Sequence, residues 1–196
     1  MPGIPGLKKF TRALTLALNY RDLQTRSHSD RVSTLALRLG QACGLSSREL
    51  EYLAISASFH DIGKLGVPDN VLMKPGRLDQ QEKELIERHC TIGAEIMLAT
   101  EIDGAEEVAA AVRHHHEHFN GQGYPHRLAG NNIPLYSRII GIADSYDAMI
   151  ETRAYHRARS HEEALGVLLQ ETGRKHDPDL MRLFCKVFGS PCPGLA

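Results

Sequence analysis

Apolar residues recur every three to four positions along most of the chain, and no convincing run alternates with period two. That spacing puts one apolar stripe on each of a series of amphipathic helices. Leu7, Phe10, Leu14 and Ala17 form one stripe; Val32, Leu35, Ala36 and Leu39 form another. Ser46 with Glu49 reads as a capping box, each side chain satisfying the other residue's backbone N–H, and opens a helix through Leu50, Leu53, Ala54 and Ala57. Asp79 with Glu82 starts a helix carrying Leu85, Ile92 and Ile96, and Ser160 with Glu163 starts another. Asp177-Pro178 sets a capping residue before a proline suited to the first helical position. Chain breakers cluster at 63–75 and 120–134, and no internal repeat is present. The pattern predicts an all-α fold: a single compact helical domain over 1–196, with its core at about 10–187 and a frayed tail after Gly189.

Several polar residues interrupt these stripes on the core side. His28 lies four residues before Val32, and His60 and Asp61 follow Ala57 by three and four. His89 sits between Leu85 and Ile92, His115 and His116 share the face of Val112, and Asp144 falls four after Ile140. Burying a neutral polar group without a partner costs roughly 2–7 kcal/mol, and an unpaired charge costs more. Seven inward residues of ligating type need a shared cause, and a divalent cation supplies one, because neutral imidazoles and ionised carboxylates are its ligands. His114 and His118 fall beside the stripe and read as a solvated helix face. Glu117 reads either as a group that orients a ligating imidazole or as a surface glutamate.

Composition narrows the field. The 196 residues are 42% apolar and 24% charged, with a net charge of −1. These are the proportions of an ordinary soluble domain, and they argue against a broad basic face for duplex nucleic acid. The apolar run at 13–18 is too short to cross a bilayer. Cys43, Cys90, Cys185 and Cys192 form no C-x-x-C pair, which fits reduced thiols and a cytoplasmic location.

The ordered motifs then acquire a family. TRSHSDRV at 25–32, HDIGK at 60–64, GVPD at 66–69 and His89 with Gly93 come first. HHE at 115–117, GYP at 123–125, Ile133-Pro134, RIIGIADSYDAM at 138–149 and TRAY at 152–155 complete the series. Together they resemble the HD-GYP proteins, a branch of the HD phosphohydrolase superfamily, over nearly the whole chain. The resemblance implies a helical HD-domain bundle around a buried metal centre. It matches His28, His60, Asp61 and Asp144 to one metal, and His89, His115 and His116 to a second, with Asp61 bridging. Gln24 stands where some members carry a glutamate for a third metal, so two divalent ions are expected, iron or manganese.

The implied activity is a phosphodiesterase that opens cyclic di-GMP to linear pGpG, and on to GMP in some members, by attack of a hydroxide shared between the metals. Lys64 matches a lysine that neutralises the phosphate, so Lys64 and Asp61 are the expected catalytic pair. Arg153 matches a substrate-contacting arginine, with Ala154 in place of proline and His156 followed by Arg157 at the usual basic position. Tyr124 reads as a substrate-side or partner-side aromatic. The implied partners are cyclic di-GMP or a related cyclic dinucleotide, and a diguanylate cyclase domain docked through the GYP loop. Competing readings are a mononucleotide phosphohydrolase, which His89, His115 and His116 argue against, and a non-catalytic cyclic-dinucleotide receptor. No receiver, sensor or membrane segment precedes Phe10, so the chain reads as a stand-alone domain or the output half of a longer one.

Overall fold

Four of the described helices begin where a side chain satisfies the first free backbone N–H groups. The structure, a computed structural model, describes residues 25–151 and 158–189. The helices are α1 (Thr25–Ala42), α2 (Ser47–Phe59), α3 (Asp69–Leu72), α4 (Gln80–Glu87), α5 (His89–Leu98), α6 (Ala105–His114), α7 (Leu135–Ile150), α8 (His161–Gln170) and α9 (Pro178–Phe188). Short 3-10 turns occupy Ile62–Gly66 and Gly130–Asn132. All three expected capping boxes form, Ser46 with Glu49, Asp79 with Glu82, and Ser160 with Glu163. Asp177 caps α9 ahead of Pro178, accepting from the N–H groups of Asp179 and Leu180. No strand is present among the described residues, which contain only two isolated bridges, and the all-α expectation holds. None of the described helices is long and apolar enough to cross a membrane. The stripe at Leu7 to Ala17, Gln24, Arg153 and Arg157 lie outside the described residues.

The single helix expected from Asp79 through Ile96 is two, α4 and α5, divided at Arg88. The Ile86 carbonyl explains the break. It accepts from the Arg88 N–H and from Nδ1 of His89, so it is withdrawn from the regular helical ladder. Cys43 and Cys90 are free thiols, whereas Cys185 is disulfide-bonded, contrary to the expectation of reduced cysteines throughout. Disulfide pairing depends on proximity in space, which spacing along the chain does not reveal.

Two apolar clusters hold the helices together. One gathers Val32, Leu39, Leu53, Ile139, Ile140 and Phe184 from α1, α2, α7 and α9, with Ala164 and Leu168 from α8. The other packs Phe59, Ile62, Met97, Val108 and Val112 between α2, α5 and α6. Each fully buried side chain of this size is worth roughly 1.5–3 kcal/mol before entropy is counted. Helices α2 and α6 contribute to both clusters, and His60 and His115 follow directly at their C-terminal ends.

Candidate metal centre

Three histidines use the same local device. A helix C-terminus leaves carbonyl groups without intrahelical donors. Nδ1 of His60 lies 2.8 Å from the Ala57 carbonyl, that of His89 2.6 Å from Ile86, and that of His115 2.6 Å from Val112. Each carbonyl belongs to the residue three positions earlier. A carbonyl only accepts, so each Nδ1 carries the proton and each Nε2 presents a lone pair. Ring centroids run in series from His28 to His60 (5.4 Å), His60 to His115 (5.2 Å) and His115 to His89 (5.4 Å), all edge-on. The sequence thus ends separate helices at one place and turns their imidazoles the same way.

His28 on α1 is set by a carboxylate instead. Its Nδ1 lies 2.7 Å from Oδ2 of Asp147 and its Nε2 3.1 Å from Oδ1 of Asp144, both on α7. Asp147 is fully buried and also accepts from Arg31 Nε at 2.7 Å and Nη2 at 2.9 Å, while Arg31 reaches Glu151 at 2.7 Å. Asp147 escaped the sequence reading, although it sits three residues after Asp144 and therefore shares its helix face.

Asp61 stands between the two groups of imidazoles. Its Oδ2 is 3.5 Å from His60 Nε2 and its Oδ1 3.6 Å from His89 Nε2. Lys64 donates to Oδ2 at 2.5 Å from the partly exposed rim. Gly63 makes this approach feasible: a Cβ there would lie 1.8 Å from the His89 carbonyl oxygen and 2.5 Å from the Gly93 nitrogen. The glycine of HDIGK therefore presses the Ile62–Gly66 turn against the start of α5 and sets Asp61 beside His89.

Of four groups of potential ligand atoms among the described residues, each with its atoms within 4.8 Å of one another, two meet here: His28, His60 and Asp144, and His89, Cys90, His115 and His116. His60 Nε2 is buried without a hydrogen-bond partner, and the Nε2 atoms of His89 and His115 face each other at 3.4 Å. Opposed lone pairs repel, and a cation between them removes the conflict, so these residues fit a divalent metal. The surrounding charges agree. Burial holds His89 and His115 below the usual imidazole range and pushes His116 down to about 3, keeping all three neutral. Burial alone would raise Asp61, but Lys64 and the imidazoles outweigh it and keep the carboxylate ionised. Asp144 is likewise held down against burial, by His28 and the neighbouring histidines. Burial opposes protonation of His28, yet its bonds to Asp144 and Asp147 push it up to about 9. A cation on Nε2 would take that proton's place.

The GYP loop closes one side. Tyr124 lies against His116, with ring centroids 4.9 Å apart, and its N–H donates to the His116 carbonyl at 3.2 Å. Glu117 is a loop anchor, which neither reading of it foresaw: it accepts from the N–H groups of His126 at 2.7 Å and Leu128 at 3.1 Å. Gly123 packs where a Cβ would sit 2.3 Å from the His118 nitrogen. His114 is half-buried against the Ala110 carbonyl and His126, not on a solvated face. A cleft of about 640 Å³ opens between the loop and helices α4 and α5, lined by Glu87, Arg88, Tyr124 and Arg127 among others. The expected set His28, His60, Asp61, His89, His115, His116 and Asp144 is thus brought together, with Lys64 and Tyr124 at its edge.

Comparison with known proteins shows the family. A model of the HD domain matches residues 13–180. A cyclic di-GMP phosphodiesterase of Thermotoga maritima is 34% identical over 174 residues, covering 89% of this chain and 47% of the relative. A 3'3'-cGAMP-specific phosphodiesterase of Vibrio cholerae is 35% identical over 179 residues, covering 90% of this chain and 34% of the relative. The chain thus spans less than half the length of these curated relatives. The solved structure of a cyclic GMP-AMP phosphodiesterase from Vibrio cholerae superposes with a TM-score of 0.71 at 26% identity, covering 93% of this chain and 48% of that one. The chain belongs to the HD domain family, as its HD-GYP-type motifs lead one to expect.

Proposed function

We propose that the chain is a metal-dependent phosphodiesterase that opens cyclic dinucleotides, cyclic di-GMP first, to the linear dinucleotide. The approach of one imidazole nitrogen from each set, those of His60 and His89, to the buried Asp61, with Lys64 at the rim, carries this reading. Relatives that act on cyclic di-GMP and on 3'3'-cGAMP support the substrate class. His28, His60 and Asp144 would hold one cation and His89, His115 and His116 a second, with Asp61 shared; iron and manganese suit imidazole and carboxylate donors. Such a pair, when bound, would supply Lewis acidity toward the phosphodiester and lower the pKa of bound water toward neutrality.

The protein's own groups do the rest. The Nδ1–H bonds to three helix-end carbonyls and to Asp147 fix the ring orientations before substrate arrives. Lys64 brings a positive charge within reach of a phosphate's non-bridging oxygens. Tyr124 offers a ring face to a base entering the cleft, whose volume suits a ligand of this size. Arg153 and Arg157 would add substrate contacts from outside the described residues, and the exposed face of the GYP loop would serve a diguanylate cyclase partner.

The test is anaerobic purification followed by incubation with cyclic di-GMP and 3'3'-cyclic GMP-AMP in parallel, with products separated by chromatography. Linear product is expected from at least one. Lys64→Ala should lower turnover on the order of 10²–10³-fold, comparable to losing one oxyanion donor, with metal content intact. No linear product from either dinucleotide with iron or manganese would overturn the proposal in favour of a binding-only receptor.

A further inference from the structure

We propose that Cys90 is a further ligand, beside the shared Asp61, of the cation held by His89, His115 and His116, making that position a thiolate-bearing site that takes zinc or ferrous iron ahead of manganese. The inference rests on the metal-dependent reading above and adds a residue that no family motif supplies. A buried free cysteine is ordinarily a small apolar core residue. Cys90 is fully buried and free, yet belongs to neither apolar cluster. Its sulfur lies 3.5 Å from His89 Nε2, and its Sγ and the ring nitrogens of His89, His115 and His116 all fall within 4.8 Å of one another.

The spacing has a specific meaning. With metal–nitrogen bonds of about 2.0–2.1 Å and a metal–sulfur bond of about 2.3 Å, donors at near-tetrahedral angles to one another stand about 3.4 Å apart for N–N and about 3.6 Å apart for N–S. The two separations in hand match: 3.4 Å between His89 Nε2 and His115 Nε2, and 3.5 Å between His89 Nε2 and Cys90 Sγ. The thiol S–H can donate weakly to the His89 Nε2 lone pair, whereas the lone pairs of His89 and His115 gain nothing from facing one another without a cation between them. Ligation would form one sulfur–metal bond and break the S–H bond, with the thiol proton released to solvent.

Softness then sorts the two positions. His28, His60, Asp144 and Asp61 offer two nitrogens and carboxylate oxygens, a set that accepts manganese or iron. Three imidazoles and a thiolate beside the shared Asp61 favour zinc, cobalt and ferrous iron, and disfavour the harder manganese ion.

Two spectroscopic readouts test this without reference to turnover. The unmutated chain loaded with cobalt(II) should show a thiolate-to-cobalt charge-transfer band in the near ultraviolet. Zinc-edge X-ray absorption should show a sulfur scatterer at about 2.3 Å. Cys90→Ser should lose both while still binding cobalt, with zinc affinity reduced on the order of 10²-fold, the upper end of what disturbing a ligand's support costs. Cys43→Ser should keep both signals. The sulfur scatterer is read on the unmutated chain, so the test holds even where Cys90→Ser does not fold. Stoichiometric cobalt with no charge-transfer band, or a band that survives in Cys90→Ser, overturns the role of Cys90 and leaves the proposed function standing. A chain that binds no divalent metal overturns both.

Discussion

Asp147→Asn separates the two halves of the centre. The carboxylate is fully buried and accepts three short bonds, one from His28 Nδ1 and two from Arg31. Asparagine keeps the shape and one acceptor oxygen but turns an NH₂ toward one of those donors. Each hydrogen bond to a charged group is worth roughly 1.5–3 kcal/mol. The Arg31 share is discounted, because its side chain is 39% exposed and solvent screens it. The uncompensated loss falls on His28, whose ring is no longer held with Nε2 toward Asp144. Disturbing such a support costs about 10–100-fold in metal affinity, or about 1.4–2.7 kcal/mol. Competition titration against a chromophoric chelator, resolved into two binding steps, reads the effect. The step assigned to His28, His60 and Asp144 should weaken by that factor, and the step assigned to His89, His115 and His116 should not move. Equal weakening of both steps, or of neither, refutes the assignment of Asp147 to one cation.

Two further substitutions probe the frame. Gly63→Ala places a methyl group 1.8 Å from the His89 carbonyl oxygen, where backbone faces backbone. It should lower unfolding stability by at least the ~1–3 kcal/mol typical of overpacking and abolish cation binding, as read by chemical denaturation and metal analysis. Near-native stability with both metals bound contradicts the tight approach. His176 is pushed down to about 3, first by burial and then by Lys175 and His118, so the folded state holds it neutral where the unfolded chain, near pH 6.5, protonates it. Its contribution to stability is present above pH 6.5 and lost as pH falls toward 3, at up to ~1.4 kcal/mol per pH unit. His176→Gln should flatten that slope in urea unfolding series, and an unchanged slope contradicts the account.

Local chemistry was the legible part of the fold. A capping box or an Asp-Pro pair declares itself within four residues, and all of those anticipated formed. The placement of His and Asp residues on apolar stripes was legible too, because helical period and burial cost are properties of one segment. What stayed hidden depended on two segments meeting. The break at Arg88 follows from His89 bonding the Ile86 carbonyl, while the helical spacing of Leu85, Ile92 and Ile96 runs on through it. Glu117 holds backbone N–H groups nine and eleven residues away, a contact no periodicity encodes. Asp147 looked like one more helix residue until α1 brought His28 and Arg31 to it. Cys90 read as an ordinary thiol because the three imidazoles beside its sulfur arrive from two helix ends and a turn.

Metal stoichiometry followed together with product formation tests the central claim most directly. The chain is stripped with a chelator, then titrated with manganese or ferrous iron under anaerobic conditions while linear dinucleotide is measured at each addition. The account predicts no product without metal, and turnover that rises as the second equivalent per chain is bound. Product formation by the stripped chain, or saturation of binding below one equivalent with no linear product, would contradict it.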